Sequence, residues 1–235
     1  MNHLNLSFAA CGFLGIYHLG AASALLKHGQ KMLNAVKHFA GASAGSLVAT
    51  VLLTAPDKIK ESKDFLYQFS EDVKKQTFGA ATPRYDFMKY LREGIENILP
   101  AEAHMIAENC LHISITNTRS RENCLVSTFA SREELIQVLL ASCFVPVYAG
   151  MKAVQYKGRT VTVSPFFGRQ DICPKDKGHL DLYFKIVNLE ILLSRANFER
   201  LNQALFPPSQ ARMESIFQEG FEDTVIFLQC EKWYE

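Results

Sequence analysis

Residues Gly41-Ala42-Ser43-Ala44-Gly45 constrain this chain more than any others. They spell G-x-S-x-G between a short apolar run, Val36-Lys37-His38-Phe39-Ala40, and a helix-forming stretch, Ser46-Leu47-Val48-Ala49-Thr50-Val51-Leu52-Leu53. A strand that enters a helix through so short a link must bend sharply. Neighbouring backbone then comes so close that only a residue without a Cβ avoids a clash. Ser43 is expected at the tip of that bend with its hydroxyl outward. The first helical turn behind it offers unpaired N–H groups and the positive end of the helix dipole, which favour developing negative charge.

The preceding residues extend the pattern. Leu4-Asn5-Leu6-Ser7-Phe8-Ala9 alternates as a strand does, Cys11-Gly12-Phe13-Leu14-Gly15 reads as a turn, and Ile16 to His28 reads as a helix ended by Gly29. The order β-turn-α-β-turn-α favours a parallel sheet with right-handed crossovers. Adjacent parallel strands would bring both turns to one carboxyl edge, where ligands bind. From Leu4 to Leu26 there is no charged side chain, a length that could span a bilayer. However, Asn5, Ser7, His18 and Ser23 interrupt the stretch, and Gly12, Gly15 and Gly20 break it. No basic segment precedes it, so neither a membrane span nor a signal peptide is expected.

Residues 57–109 look helical. Ile59, Phe65, Leu66, Phe69 and Val73 recur near helical spacing, as do Tyr85, Met88, Leu91, Ile95 and Ile98 after Pro83. Both stripes suit a core; the sharper alternative is that some line an acyl-chain groove. Leu111–Thr116 alternates strongly as a strand, with Asn123–Thr128 as its partner through Thr118-Arg119-Ser120-Arg121-Glu122. Ser131-Arg132-Glu133-Glu134 is a capping box that opens a helix running to about Cys143, with Pro146 ending it. Lys152–Tyr156 and Thr160–Ser164 are strand-like around Lys157-Gly158-Arg159. A proline-punctuated loop follows over 165–179, and the remainder is expected to be mostly helix.

The 235 residues suit one domain spanning 1–235. They are 48% apolar and 21% charged with a net charge of +1, so no global field points to nucleic acid. The short Lys74-Lys75 cluster stands beside acids, as on a solvated helix face. The six cysteines, Cys11, Cys110, Cys124, Cys143, Cys173 and Cys230, form no C-x-x-C pair. They read as small apolar fillers in a reduced, intracellular protein. The seven histidines include no H-E-x-x-H and no clustered ligand set, so no metal is implied. No cofactor is implied either. Ala10 stands where a dinucleotide fingerprint requires its first glycine, and no acidic residue follows Val36–Ala40 to hold a ribose.

A serine hydroxyl becomes a useful nucleophile when a base takes its proton and donors stabilise the oxyanion it creates. Ser43 is the candidate nucleophile, and the amides of Gly12, Phe13 and Gly15 are the candidate oxyanion donors. Asp171 followed by His179 fits the chain order of a Ser–Asp–His triad loosely. Yet the elbow comes early, the two residues share one loop, and His179 reads as a loop histidine.

With its Gly12–Gly15 turn and Gly41–Gly45 elbow both so early, the chain resembles the patatin-like phospholipase family, in its short single-domain form. Cys11-Gly12-Phe13-Leu14-Gly15-Ile16-Tyr17-His18 and Phe39-Ala40-Gly41-Ala42-Ser43-Ala44-Gly45-Ser46 carry the resemblance, and Ala141-Ser142-Cys143-Phe144-Val145-Pro146 matches the end of a later family helix. The resemblance implies an α/β fold, a three-layer α/β/α sandwich with a mostly parallel central sheet. It implies a Ser–Asp dyad without histidine that cleaves triacylglycerol, retinyl ester or phospholipid ester bonds, or passes the acyl group between lipids. Ser43 is then the nucleophile, Gly41, Ala42, Ala44 and Gly45 form its elbow, and Gly12–Gly15 supply the oxyanion hole, without metal or cofactor. The implied partners are a lipid ester and, peripherally, a membrane or lipid-droplet surface reached from the cytoplasm. Leu14 stands where plant patatins carry a basic residue, so neutral lipid esters are expected over phospholipids.

One departure is serious. The family's aspartate lies in D-G-G or D-G-A after a strand, and this sequence contains no D-G dipeptide. It passes from Gly158 directly to Arg159-Thr160-Val161-Thr162-Val163, which resembles a later family strand. An internal segment therefore reads as missing at 158/159, and the base role passes to none of Asp171, Asp176 and Asp181. The expectation is a hydrolase or acyltransferase impaired by loss of its base. An inactive lipid-binding protein of the same fold and a Ser–His–Asp hydrolase are the alternatives. A lost central strand would unpair its neighbours unless the Lys157-Gly158-Arg159 turn forms a new hairpin.

Overall fold

The alternation at the start of the chain becomes strand β1 (Leu4–Phe8), with Leu4, Leu6 and Phe8 all buried. The computed structural model describes residues 4–77, 82, 85–117, 122–143, 159–168, 170–175, 183–186, 189–192 and 194–235. After β1, a 3-10 turn at Gly12–Leu14 runs into helix α1 (Gly15–His28) and a short α2 (Gln30–Ala35). Strand β2 (Val36–Gly41) follows and reaches α3 (Ala44–Thr54) through two residues. A 3-10 turn at Pro56–Lys58 leads to α4 (Ile59–Lys74), α5 (Phe87–Ile98) and α6 (Ala103–Ala107). Strands β3 (Leu111–Thr116) and β4 (Asn123–Val126) form an antiparallel pair before α7 (Arg132–Cys143). The capping box forms with a shift: Ser131 Oγ accepts the Glu134 N–H, but the Glu134 carboxylate accepts the amide of Ala130 rather than that of Ser131.

Strand β5 (Arg159–Val163) lies parallel to β1, giving a five-stranded sheet in the order β4-β3-β2-β1-β5. Every pairing in it except β3–β4 is parallel. The result is the expected α/β class, a mostly parallel sheet flanked by helices. β1 is paired on both sides, by β2 and β5. Pro146, the 152–156 stretch, the Lys157-Gly158 part of the expected turn and the Thr118–Arg121 connection lie outside the described residues.

After residue 179 the described chain is mostly helical, as expected, but it opens with a hairpin that was not. Strands β6 (Tyr183–Ile186) and β7 (Leu189–Leu192) pair antiparallel before helices α8 (Arg195–Leu205) and α9 (Gln210–Cys230). Tyr183-Phe184-Lys185-Ile186 and Leu189-Glu190-Ile191-Leu192 are short, mostly apolar runs, and only two residues separate Ile186 from its partner Leu189. So short a link suits a hairpin. The two stripes of 57–109 pack as core: Ile59, Phe69, Val73, Leu91 and Ile95 are buried, and Phe65 and Ile98 pack against them. Lys74 and Lys75 pair with Glu71 and Asp72 one helical turn away, as solvated faces do.

The sheet has two unlike faces. Leu6, Phe39 and Leu111 belong to the apolar one, while Asn5, His38 and His112 stand on the other, Asn5 directly opposite His38. His112 Nε2 lies 3.2 Å from His38 Nδ1, and burial lowers the His112 pKa, with His38 adding to that effect.

Helix α9 crosses α1 with main chain nearly touching main chain. A Cβ on Gly20 would fall 2.0 Å from the Phe217 carbonyl oxygen, and one on Gly220 would fall 2.1 Å from that of Tyr17. Beside the crossing, the Tyr17 hydroxyl donates to Asp223 at 2.6 Å. Each helix thus lends the other a glycine at the point of closest approach. Because the obstruction is backbone, a side chain there can only force the helices apart. Gly220→Val is expected to cost about 3 kcal/mol, the upper end of overpacking penalties, measured as a shift in urea-unfolding stability.

Candidate active site

β2 runs into α3 through Ala42 and Ser43, and Ser43 takes φ 49 and ψ −132. A residue with a Cβ rarely adopts positive φ, and holding it there costs roughly 1–3 kcal/mol. Two close approaches enforce the bend. A Cβ on Gly41 would meet the Gly45 carbonyl oxygen at 2.5 Å, and one on Gly45 would meet the carbonyl oxygens of Phe8 and Ala9 at 2.4 Å. The motif is therefore folded against itself and then against the end of β1.

Ser43 is half-buried and stands at the N-cap of α3. Its carbonyl accepts the amides of Ser46 and Leu47 and the Ser46 hydroxyl. A serine at that position ordinarily turns its hydroxyl back to cap the helix. Ser43 makes no side-chain cap, which leaves its Oγ available for other chemistry. Cys143, at the end of α7, is its sulfur neighbour. Desolvation pushes the Cys143 thiol up to about 12, against a hydrogen bond from the Ser43 side chain that pulls it down. Burial also holds Cys11 well above its ordinary range, and Cys143 adds to that effect. Both thiols stay protonated at neutral pH, so neither can take the serine's proton.

The turn after β1 abuts this bend: a Cβ on Gly15 would lie 3.2 Å from the Ala44 Cβ. Gly12 has φ +52, and its Cα faces the Ala204 carbonyl of α8 so closely that a Cβ would fall 2.2 Å from that oxygen. Phe13 is buried among aromatic rings of α4 and α5, 5.9 Å from Phe69 and 6.4 Å from Phe87 between centroids. Its side chain anchors the turn. Within the turn, the Leu14 amide donates to the Cys11 carbonyl and the Gly15 amide to Gly12 and Phe13. The amides of Gly12 and Phe13, first in the turn, precede any intrahelical acceptor. Leu14 is buried in the core.

His18 supports the same edge from below. Its Nε2 donates to the Ala9 carbonyl at 2.9 Å, while Nδ1 is buried without a partner among the described residues. In sequence His18 both interrupts an apolar stretch and closes the Cys11–His18 segment that carries the family resemblance; a lone histidine amid apolar residues is the signal for this support. Ser142 is another residue whose role sequence reasoning missed: its hydroxyl accepts the Ser43 amide. Asp171 is engaged elsewhere, its carboxylate accepting the amide and hydroxyl of Thr162 on β5. β1 separates that strand from β2. His179, Asp176 and Asp181 lie outside the described residues.

The family model for patatin-like phospholipases matches residues 6–167, a span that contains both turns, the end of β1 and strands β2 to β5. The chain belongs to the patatin-like phospholipase family. Human patatin-like phospholipase domain-containing protein 4 is 62% identical over 253 residues, an alignment that covers the whole of both chains. Rat patatin-like phospholipase domain-containing protein 2 is 36% identical, over 96% of this chain and 51% of its own. Human 1-acylglycerol-3-phosphate O-acyltransferase PNPLA3 is 33% identical, over 96% of this chain and 50% of its own. The chain thus spans all of the first relative and about half of the other two.

His18 makes the site's support sensitive to acid. Burial lowers its pKa from 6.5 to about 4, with the bond to Ala9 opposing part of that fall. Between those values the unfolded chain binds a proton that the folded chain refuses, so stability falls as pH drops through this window. The loss is expected to reach roughly 3 kcal/mol. Urea unfolding at pH 7 and pH 4.5 should show it, and His18→Gln should flatten the difference.

Proposed function

We propose that this chain is a patatin-type serine acyl hydrolase or acyltransferase acting on lipid esters, slowed by the absence of its carboxylate base. The observation that carries the reading is Ser43: positive φ, N-cap position, and a hydroxyl that does not cap its helix. In this reading Ser43 Oγ attacks the ester carbonyl, and the oxygen that becomes negative lies against the amides of Gly12 and Phe13. The Gly15 amide, committed within its turn, contributes by shaping it. Gly41, Ala42, Ala44 and Gly45 hold the elbow. The ester C–O bond then breaks, and the leaving alkoxide departs as an alcohol with the proton that Ser43 gives up by way of water. The acyl group on Ser43 passes to water or to the hydroxyl of a second lipid, which returns a proton to Ser43.

Two observations support an absent base. No D-G dipeptide exists in the sequence. An alignment of 253 positions against a chain of 235 residues leaves at least 18 positions to which this chain contributes nothing, in keeping with an internal segment lost at 158/159. Without a base the hydroxyl remains a weak nucleophile. Oxyanion donors and binding alone sustain roughly 1000- to 10,000-fold over water in serine proteases stripped of their triad, and comparable residual turnover is expected here. Leu14 favours neutral esters such as triacylglycerol or retinyl ester over phospholipids, because a buried leucine offers a phosphate no charge. The second reading, an inactive lipid-binding protein, is favoured by the same missing dipeptide.

A short-chain nitrophenyl ester assay separates the two. Slow turnover that Ser43→Ala removes, together with labelling of Ser43 by a fluorophosphonate, is expected for the enzyme. Silence in both assays, with the fold intact, would leave only the binding protein.

Peripheral contact with a membrane or lipid-droplet surface belongs to the same proposal. Among the described residues no helix is long and apolar enough to cross a membrane. Phe198 and Phe206, at α8 and its end, are 73% and 59% exposed, and α8 touches the Gly12 turn through Ala204. Phe198→Ser/Phe206→Ser is expected to lower partition onto phosphatidylcholine vesicles about tenfold or more, since each phenylalanine contributes roughly 1.5–3 kcal/mol when buried. Sedimentation with the vesicles measures it.

A further inference from the structure

Helix α7 ends beside a residue that touches both the sheet and the bend. Ser142 Oγ donates its hydrogen to the Ser114 carbonyl at 2.8 Å, and the same oxygen accepts the Ser43 N–H at 2.8 Å. A serine near a helix end usually bonds back to a carbonyl of its own helix. Ser142 instead reaches a carbonyl 28 residues away on β3. Donation to Ser114 fixes the hydroxyl hydrogen and leaves the oxygen's lone pairs for Ser43, so both ends of the relay are satisfied. The Ser43 amide lies beyond the end of β2 and before the first amide of α3. Neither the ladder nor the helix supplies it with an acceptor. A strained backbone persists only where its surroundings hold it.

We propose that Ser142 is a positioning residue whose hydroxyl ties the Ser43 main chain to β3 and so sets the direction in which Ser43 Oγ points. The tether stands on its own; its catalytic meaning rests on Ser43 being the nucleophile. It also assigns work to the Ala141-Ser142-Cys143 stretch, which the reaction itself leaves unused.

The test compares the intact chain with Ser142→Ala and Ser142→Thr by two readouts. One is hydrogen exchange of the Ser43 amide. The other is fluorophosphonate labelling of Ser43, resolved into a saturation constant and a maximal rate. In Ser142→Ala, exchange is expected to quicken and the maximal rate to fall, each by about tenfold, with the saturation constant unchanged; Ser142→Thr should restore both. Ser142→Cys, which keeps the volume but bonds weakly, gives the same readings should the alanine protein fail to fold. Unchanged exchange would overturn the tether. Faster exchange with an unchanged labelling rate would overturn the positioning role. Altered exchange in a chain whose Ser43 never labels would sink the nucleophile assignment, and the positioning role with it, while leaving the tether intact.

Discussion

Everything at this site depends on Gly45 lying against the carbonyl oxygens of Phe8 and Ala9. That contact joins the second strand's loop to the end of the first with no side chain between them. It is close because β1 and β2 are adjacent and parallel, so their carboxyl ends emerge together. Main chain on main chain leaves no room for adjustment. The strain at Ser43 is tolerated because this contact, and the Gly41 contact within the motif, permit no relaxed alternative. His18 extends the arrangement by engaging the same Ala9 carbonyl group. The carbonyl that limits Gly45 is thus itself held in place.

The polar groups behind the site work as neutral bodies. His18 is buried and uncharged, Cys11 and Cys143 keep their protons, and burial lowers the His112 pKa. Uncharged neighbours leave the fixed dipoles of backbone amides as the main local electrostatic feature of a low-dielectric setting. Among the described residues, neither raised thiol can serve Ser43 as a proton acceptor at neutral pH.

Much of the fold was legible in the sequence. The alternation of Leu4–Phe8 and Leu111–Thr116, the capping box at Ser131, and the glycine spacing of both early turns each rest on local chemistry, and each appears where expected. The β6–β7 hairpin was missed because its runs are short and carry no glycine turn; mostly apolar segments of that length read equally well as helix. The elbow itself was visible as a motif. What holds it and the Gly12 turn beside it was not, because those contacts come from far along the chain: Ser142 from α7 against Ser43, and the Ala204 carbonyl from α8 against Gly12. Periodicity reports which face a residue occupies, whereas a hydrogen bond between residues 99 positions apart leaves no local trace.

The reciprocal glycines of α1 and α9 carry a consequence for how the protein comes into being. α1 springs from the Gly12 turn near the start of the chain, yet its outer face is matched by residues beyond 210. The amide of Glu235 even donates to the carbonyl of His28. During synthesis the first helix must therefore wait, its small-residue groove open, until residues 217–221 have left the ribosome. Contacts of such long sequence separation form late and expose apolar surface meanwhile. A chaperone that shields this groove would guard the newborn chain at its most vulnerable point.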